Sequence, residues 1–244
     1  MPPDSRSNLF RRPSPGEQQE LLAALRGGDP GGAIEVARLD LLLRHYECGG
    51  WLHARRSAPG ARALPEPWRQ AAARAHRKTV VDSLVALGVG GEVTALLTAA
   101  RIPVILLKGA SYLGELYDDP GERPLVDLDL LVAPRDVAAV AARLKQAGFA
   151  VLETHESPHV AEYRRFEMAR PGPAPCRVEV HWQLGTGGRM HFDQEAIRAR
   201  ARRAAIQGVA CLALEPHDAV LYHVGHAREH YFGPSLKWAL DLRA

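Results

Sequence analysis

The segment RPLVDLDLLV, residues 123–132, places two carboxylates two positions apart inside an apolar run. Successive side chains of a β-strand point to opposite faces, so Asp127 and Asp129 would share one face of a strand. The opposite face would be apolar and turned toward the core: Val126, Leu128, Leu130 and Val132. Two neighbouring acids repel each other unless a cation lies between them, and a divalent metal is the usual cation. The segment therefore predicts a strand with one apolar face and one metal-binding face.

A second strand of the same kind is predicted at residues 176–182, CRVEVHW. Arg177, Glu179 and His181 alternate with apolar residues and would share one face. If this strand lies beside the first, Glu179 completes a trio of carboxylates with the two aspartates. Magnesium prefers hard oxygen ligands, and two such ions about 3.5–4 Å apart can stabilise both oxygens of an in-line displacement. The trio predicts a site for phosphoryl or nucleotidyl transfer, in which Glu179 binds metal or acts as general base.

A phosphate-binding turn is predicted after the β-branched run at residues 102–107, which ends in Lys108-Gly109. Glycine lets the backbone approach a phosphate closely, and the first N–H groups of a helix favour anions. Lys108 would supply a positive charge, and Ser111 a hydroxyl donor. Arg123 would neutralise charge that develops on the transferring phosphates. The chain contains neither GxxxxGK[ST] nor GxGxxG, which argues against Walker-type and dinucleotide sites.

The composition is that of a soluble globular protein, with 46% of the 244 residues hydrophobic and 24% charged. The formal net charge of +3 suits a polyanionic substrate such as a nucleoside triphosphate. Without a Lys/Arg-rich tract, a small-molecule or protein acceptor is favoured over nucleic acid.

The cysteines and the apolar runs indicate the cellular compartment of the protein. Three separated cysteines without a CxxC pair argue against a disulfide framework and fit a reducing cytoplasm. No signal-peptide core and no run of ~20 apolar residues is evident, so we expect a cytoplasmic protein without a membrane span. The helical pattern reaches Ala244 without a capping signal, as in a longer natural chain.

Composition and periodicity divide the chain into four regions. Residues 1–16 are rich in Pro, Ser and Arg and predict a flexible tail. Residues 17–100 predict a helical N-terminal region, and residues 101–190 a core in which strands alternate with helices. Residues 191–244 predict a C-terminal helical region. The predicted fold is α+β, with a mixed β-sheet between N-terminal and C-terminal helical layers.

Four finer expectations concern the helical regions. The glycine-rich run 27–32 separates two predicted helices. Residues 49–67 predict a loop, and a long helical stretch is predicted to be interrupted near residues 88–91, where three glycines fall. A short strand is predicted at residues 209–214.

Four segments in order resemble a known family: IPVILLKG, LYDDPGERP, DLDLLV and VEVHW. Together they are similar to the uncharacterised nucleotidyltransferase family of the DNA polymerase β-like superfamily. The resemblance implies a mixed-sheet core in which an acceptor attacks the α-phosphate of an NTP, with metal, and releases pyrophosphate. It implies metal ligands at Asp127, Asp129 and Glu179. The usual Gly-Ser pair of the superfamily stands here as Lys108-Gly109-Ala110-Ser111, so Lys108 would take over the triphosphate contact of Ser111.

Other functions and more ordinary structural roles stay open on the sequence. The chain could be a catalytically silent binding or regulatory module, as a homo-oligomer or with an operon-encoded partner. His226 and His230, four residues apart, would suit a zinc-dependent hydrolase if a third ligand joined them. Glu179 could instead pair with its strand neighbours Arg177 or His181, and Arg123 with nearby aspartates.

Overall fold

The computed structural model describes residues 12–31, 34–152, 165–171, 176–185, 191–229 and 231–243. The helices are α1 (Pro15–Leu25), α2 (Val36–His45), α3 (Gly49–Ser57), α4 (Glu66–Ala99), α5 (Lys108–Tyr112), α6 (Val137–Gln146), α7 (Gln194–Arg200), α8 (Pro216–Glu229) and α9 (Lys237–Arg243). The strands are β1 (Ile105–Leu106), β2 (Asp127–Leu131), β3 (Ala150–Val151), β4 (Arg165–Arg170), β5 (Cys176–His181), β6 (Arg202–Ile206) and β7 (Val209–Ala213). A 3₁₀ turn, Pro134–Asp136, precedes α6.

The strands form one mixed sheet in the order β3-β4-β5-β2-β1-β7-β6. Strand β2 pairs in parallel with β5 and antiparallel with β1, and β1 pairs in parallel with β7. The predicted mixed sheet with helical additions is therefore confirmed, and the two alternating segments of the sequence are neighbours in the sheet.

The two faces of the central strands differ as the alternation predicts. On the apolar face, Leu128 and Leu130 of β2 and Val178 and Val180 of β5 are fully buried. They share a core with the C-terminal half of α4 and with α6, through Val93, Leu97, Val140 and Leu144. Val126, expected on this face, lies before the strand and is 49% exposed. The opposite face carries the acidic side chains.

Helix α4 runs unbroken through residues 88–91, so the predicted interruption is wrong. The glycines there serve close packing instead. A Cβ on Gly90 would lie 2.4 Å from Ile206 Cδ1 and 3.2 Å from Leu128 Cδ1, whereas one on Gly88 would meet nothing within 4 Å. Glycine at position 90 lets the helix approach the sheet.

Helix α4 is also the one described helix that is long and apolar enough to cross a membrane by length and composition. No such helix was predicted from the sequence. Many of its apolar residues are buried within the fold, against α2, α3 and the sheet, as in the core helix of a globular domain.

The N-terminal helical layer contains a helix where a loop was predicted. Residues 49–57, expected in a loop, form α3. The two glycines at its start lie close to other parts of the chain. A Cβ on Gly50 would lie 1.9 Å from the carbonyl oxygen of Gly121. The apolar side chains of α1, α2 and α3 pack on the N-terminal half of α4, which includes Trp68. Helix α4 thereby joins the helical layer to the sheet.

The region 191–244 is not wholly helical. Its hairpin β6–β7 extends the sheet beyond β1, and β6 was not predicted. The hairpin turns at Gln207 and Gly208, both with positive φ, of 49° and 76°. Gln-Gly is a weaker turn signal than Asn-Gly, which explains why the hairpin was missed.

Residues 1–11 of the predicted tail lie outside the described residues. The rest of that segment leads directly into α1, where Ser14 and Glu17 form a capping box with Pro15 in the first turn. Glu17 also accepts a hydrogen bond from Arg38 Nε at 2.6 Å, and both side chains are buried. The bond from Arg38 lowers the pKa of Glu17 to about 2.

A matched pair of glycine substitutions tests the close approach of α4 to the sheet. We expect Gly88→Ala to raise the free energy of unfolding by about 1 kcal/mol, since alanine favours a helix interior over glycine. Gly90→Ala should lower it by about 1–2 kcal/mol, because the added methyl forces two buried side chains to move. Urea unfolding measures both. Equal stabilisation by the two variants would contradict the packing described.

The buried Glu17–Arg38 pair predicts an acid-dependent contribution to stability. Because folding depresses the pKa of Glu17, its contribution is complete above the ordinary value near 4.5 and disappears as the pH falls toward 2. Glu17→Gln should therefore cost about 3 kcal/mol at pH 7 and progressively less in acid. Urea midpoints from pH 7 down to pH 2 measure the difference. The control Asp82→Asn, in an exposed pair with Lys78, should change stability by less than about 1 kcal/mol. A gap between wild type and Glu17→Gln that is constant with pH would refute the assignment.

Candidate functional site

A row of three carboxylates crosses the polar face of the sheet. The register pairs Asp129 of β2 with Glu179 of β5, and Glu179 with Glu167 of β4. All three residues are buried, with at most 8% of each exposed. The predicted neighbourhood of the two strands is thus confirmed, and the structure adds a third acid from β4. Three adjacent carboxylates require cationic partners to remain ionised.

Lys108 is the first cationic partner of this row. Its Nζ lies 2.7 Å from Asp129 Oδ1, and the side chain is 11% exposed. One residue, Leu107, separates Lys108 from β1, whose antiparallel pairing with β2 brings Lys108 beside Asp129. Its φ of 48° is uncommon for a residue other than glycine. Burial opposes the charge on Lys108, but the carboxylate of Asp129 raises its pKa overall.

His181 and Arg165 are the other partners of the carboxylate row. His181 Nε2 lies 3.0 Å from Asp129 Oδ1 and 3.6 Å from Glu179 Oε2. Arg165 donates to Glu179 Oε2 at 2.7 Å and to Glu167 Oε1 at 3.2 Å. Burial works against ionisation of Asp129, but Lys108 and His181 lower its pKa well below the ordinary range. The pKa of Glu179 is lowered too, because the hydrogen bond with His181 and the charge of Lys108 outweigh burial.

Asp129, Glu179 and His181 form a group able to hold a metal ion. One ligand atom from each lies within 4.8 Å of those of the other two. The set combines two carboxylate oxygens with an imidazole nitrogen, a mixture that divalent metals accept.

Asp127 lies at the start of β2 on the same face, opposite Arg177 in the register. It is half-buried, and among the described residues its side chain has no hydrogen bond or ion pair. Burial raises its pKa, and the nearby carboxylates of Asp129 and Glu179 raise it further. The polar face therefore carries an uncompensated acid beside the neutralised row.

Gly109 and Ser111 follow Lys108 in the short helix α5. A Cβ on Gly109 would lie 2.4 Å from Arg123 Nη1 and 2.8 Å from Leu125 Cδ1, so the structure provides a packing reason for glycine. Ser111 Oγ donates to the Lys108 carbonyl at 2.9 Å. Their predicted contacts with phosphate stay predictions.

Arg123 lies behind this turn, in a buried clamp. Its Nε and Nη2 donate to the two oxygens of Asp241 at 2.8 and 2.9 Å, and Nη1 donates to the Pro124 carbonyl. Tyr117 also donates to Asp241, at 2.8 Å. The predicted partners of Arg123 were other aspartates or a phosphate. Its contacts in the structure fix helix α9 against the Lys108 turn, which favours a structural role.

The histidine pair of the zinc hypothesis is only partly described. His226 lies on α8, with its ring centroid 5.1 Å from that of Trp238 and 6.0 Å from that of Tyr222. His230 falls outside the described residues. His226 therefore packs in the C-terminal helical layer.

No role at this site was predicted for Arg165 or Glu167, and His181 was considered only as a partner of Glu179, from which it lies 3.6 Å. The alternation of RFEMAR in β4 places Arg165 and Glu167 on one face and was a usable signal. His181 was placed on the face of Glu179 but not connected to Asp129, because that contact depends on the register between two strands.

Comparisons with solved structures show distant likenesses. The antibiotic-resistance factor ANT(2'')-Ia has 16% identity and a TM-score of 0.42, over 60% of this chain and 74% of its own. The lincosamide antibiotic adenylyltransferase LnuA has 15% identity and a TM-score of 0.39, over 55% and 84%. An antigenic nucleotidyltransferase-like protein from Paracoccidioides brasiliensis has 18% identity and a TM-score of 0.39, over 65% and 72%.

Sequence comparison is more decisive. No curated protein matches the chain. The profile of the family described as uncharacterised nucleotidyltransferase matches residues 35–244, which include the whole sheet, the carboxylate row and the Lys108 turn. The chain therefore belongs to this nucleotidyltransferase family.

Proposed function

We propose that the protein is a magnesium-dependent nucleotidyltransferase that transfers an NMP from an NTP to a hydroxyl acceptor and releases pyrophosphate. The observation that carries the proposal is the parallel pairing of β2 with β5, which sets Asp129 opposite Glu179. Asp127 lies on the same face, and Lys108 lies at hydrogen-bonding distance from Asp129. Membership of the family supports the class of reaction.

The residues present fit a divalent metal. Asp127 is a half-buried carboxylate without a partner among the described residues, and its pKa is raised by burial and by its acidic neighbours. A divalent cation would relieve that excess of negative charge. We propose Asp127, Asp129 and Glu179 as its ligands, and a second ion would need phosphate oxygens as further ligands. Bound magnesium would neutralise the triphosphate and activate the acceptor hydroxyl. His181 would orient Asp129 through their hydrogen bond.

The protein's own groups would bind the triphosphate and the acceptor proton. Lys108 would exchange its contact with Asp129 for one with a phosphate oxygen, at a turn followed by Gly109 and Ser111. The acceptor oxygen would attack the α-phosphorus while the bond from that phosphorus to the bridging oxygen breaks. Where Glu179 does not bind metal, it would accept the proton of the acceptor hydroxyl as general base, and pyrophosphate would leave with the electrons of the broken bond.

The acceptor is proposed to be a small molecule or a protein side chain rather than nucleic acid, in line with the modest net charge of +3. The cysteines are free thiols, two of them buried, which is consistent with the reducing cytoplasm that we propose as the compartment of the protein. Glu179 lies close to Asp129 and does not turn away from it. That arrangement favours the enzyme over the catalytically silent module.

Removing the aspartates tests the metal site. Calorimetry should detect triphosphate binding by the wild type only with magnesium, and Asp127→Asn/Asp129→Asn should weaken it at least about tenfold, because even residues that merely support metal ligands contribute 10–100-fold. The control Asp82→Asn/Asp136→Asn, which removes two carboxylates from outside the strands, should bind as the wild type does. Equal binding by wild type and aspartate variant would refute the site. Pyrophosphate release with each NTP and candidate acceptors then measures transfer.

Replacing Lys108 should separate metal binding from nucleotide binding. In Lys108→Met, magnesium alone should bind more tightly, because an ammonium group 2.7 Å from Asp129 Oδ1 no longer competes with it. Magnesium with NTP should bind about tenfold more weakly, since a charged contact to phosphate is lost. Calorimetry measures both, with Lys145→Met on the exposed side of α6 as control. Weaker binding of magnesium alone would contradict the competition.

A further inference from the structure

An arginine-lined cavity lies in the N-terminal helical layer, among α1, α3 and α9. Its volume is about 420 Å³. Five guanidinium groups and one indole line it: Arg26, Arg55, Arg56, Arg62, Arg243 and Trp51. None of its lining residues belongs to the carboxylate strands or to the Lys108 turn.

Arg56 is the most informative of these side chains. Only 9% of the residue is exposed, and its two hydrogen bonds are donated to neutral carbonyls, of Ala24 at 3.3 Å and Gly28 at 3.1 Å. Its Nε is buried without a hydrogen-bond partner. Among the described residues no carboxylate forms an ion pair with it. A buried charge without a counter-ion is costly, so an anion bound in this cavity would stabilise Arg56.

The other guanidinium groups leave the cavity strongly positive. Arg55 lies 3.8 Å from Glu122, and Arg62 lies 2.9 Å from Asp29. Arg26 and Arg243 have no ion pair within the described part of the chain. Two carboxylates against five guanidinium groups leave three positive charges around one cavity.

Trp51 holds two of these arginines in place. The guanidinium carbons of Arg55 and Arg243 lie 5.7 and 5.6 Å from its ring centroid. The indole itself is buried, with 6% of the residue exposed. Stacked guanidinium groups lose less freedom when they bind an anion, because the aromatic ring already restricts them.

We infer that this cavity is a binding site for a polyphosphate chain, separate from the carboxylate site. Several planar guanidinium forks suit phosphate oxygens, and three uncompensated charges suit a di- or triphosphate better than a single carboxylate. The volume falls within the usual range for small-molecule sites, about 300–1,000 Å³. The phosphate groups can belong to free polyphosphate or to a nucleotide. The inference does not depend on the proposed transfer reaction.

Calorimetry with the full-length protein tests the site. Tripolyphosphate is the probe, and the buffer contains a chelator so that no metal is present. The wild type should bind one equivalent, and Arg26→Gln/Arg243→Gln should weaken binding at least about tenfold because two charged contacts are removed. Both side chains are exposed, so this variant should fold. Arg56→Lys keeps the charge but loses the planar fork and should also bind more weakly.

The control is Arg143→Gln/Arg203→Gln, which removes the same charge from exposed positions on α6 and β6. It should bind within about twofold of the wild type, because screening limits the effect of distant charges. Asp127→Asn/Asp129→Asn should also retain binding, which separates this site from the transfer site. If ATP binds more tightly than tripolyphosphate, the natural ligand of the cavity is a nucleotide. If ATP binds equally or more weakly, the natural ligand is free polyphosphate. The inference would be overturned if the two double arginine variants lost affinity for tripolyphosphate equally. It would also be overturned if the wild type showed no saturable binding.

Discussion

The parallel pairing of β2 with β5 is the constraint on which the site depends. The two strands are about 50 residues apart in the chain, yet their register sets Asp129 beside Glu179 and Leu131 beside His181. A shift by one residue would turn each acid into the apolar core and each leucine or valine toward the polar face. The buried leucines and valines on the opposite face therefore fix the carboxylates in place.

Electrostatic compensation is the second requirement of this sheet. Asp129, Glu179 and Glu167 stand on three neighbouring strands, a row that would repel itself without cations. Lys108 and Arg165 approach it from β1 and β4, the strands on either side of the central pair. Asp127 is left outside this compensation, and burial and its acidic neighbours raise its pKa.

The sequence predicts the parts of the fold that depend on local alternation. The strands around Asp127 and Glu179 and the polarity of their faces follow from a period of two. Pairing of strands and contacts between distant residues do not follow from it. The partnership of Arg123 with Asp241 joins residues 118 positions apart, and no local pattern selects that aspartate over nearer ones.

The predictions that relied on glycine as a helix breaker were also wrong. At Gly50 and Gly90 the sequence suggests a loop and a break, but each glycine lies inside a helix that touches another backbone or the sheet. Composition alone cannot separate glycine that interrupts a helix from glycine that permits close contact. Only the position of the neighbouring element decides between them.

The ion pair between Lys108 and Asp129 also bears on how the protein matures. In small metal-dependent domains the ion holds the chain together, and the apoprotein is unfolded. Here an ammonium group of the chain itself supplies the positive charge beside the buried Asp129. The sheet can therefore close during synthesis before any divalent ion arrives. Under the proposed function, metal and nucleotide would then enter an already finished fold, and the supply of the metal would govern turnover and not the amount of folded protein.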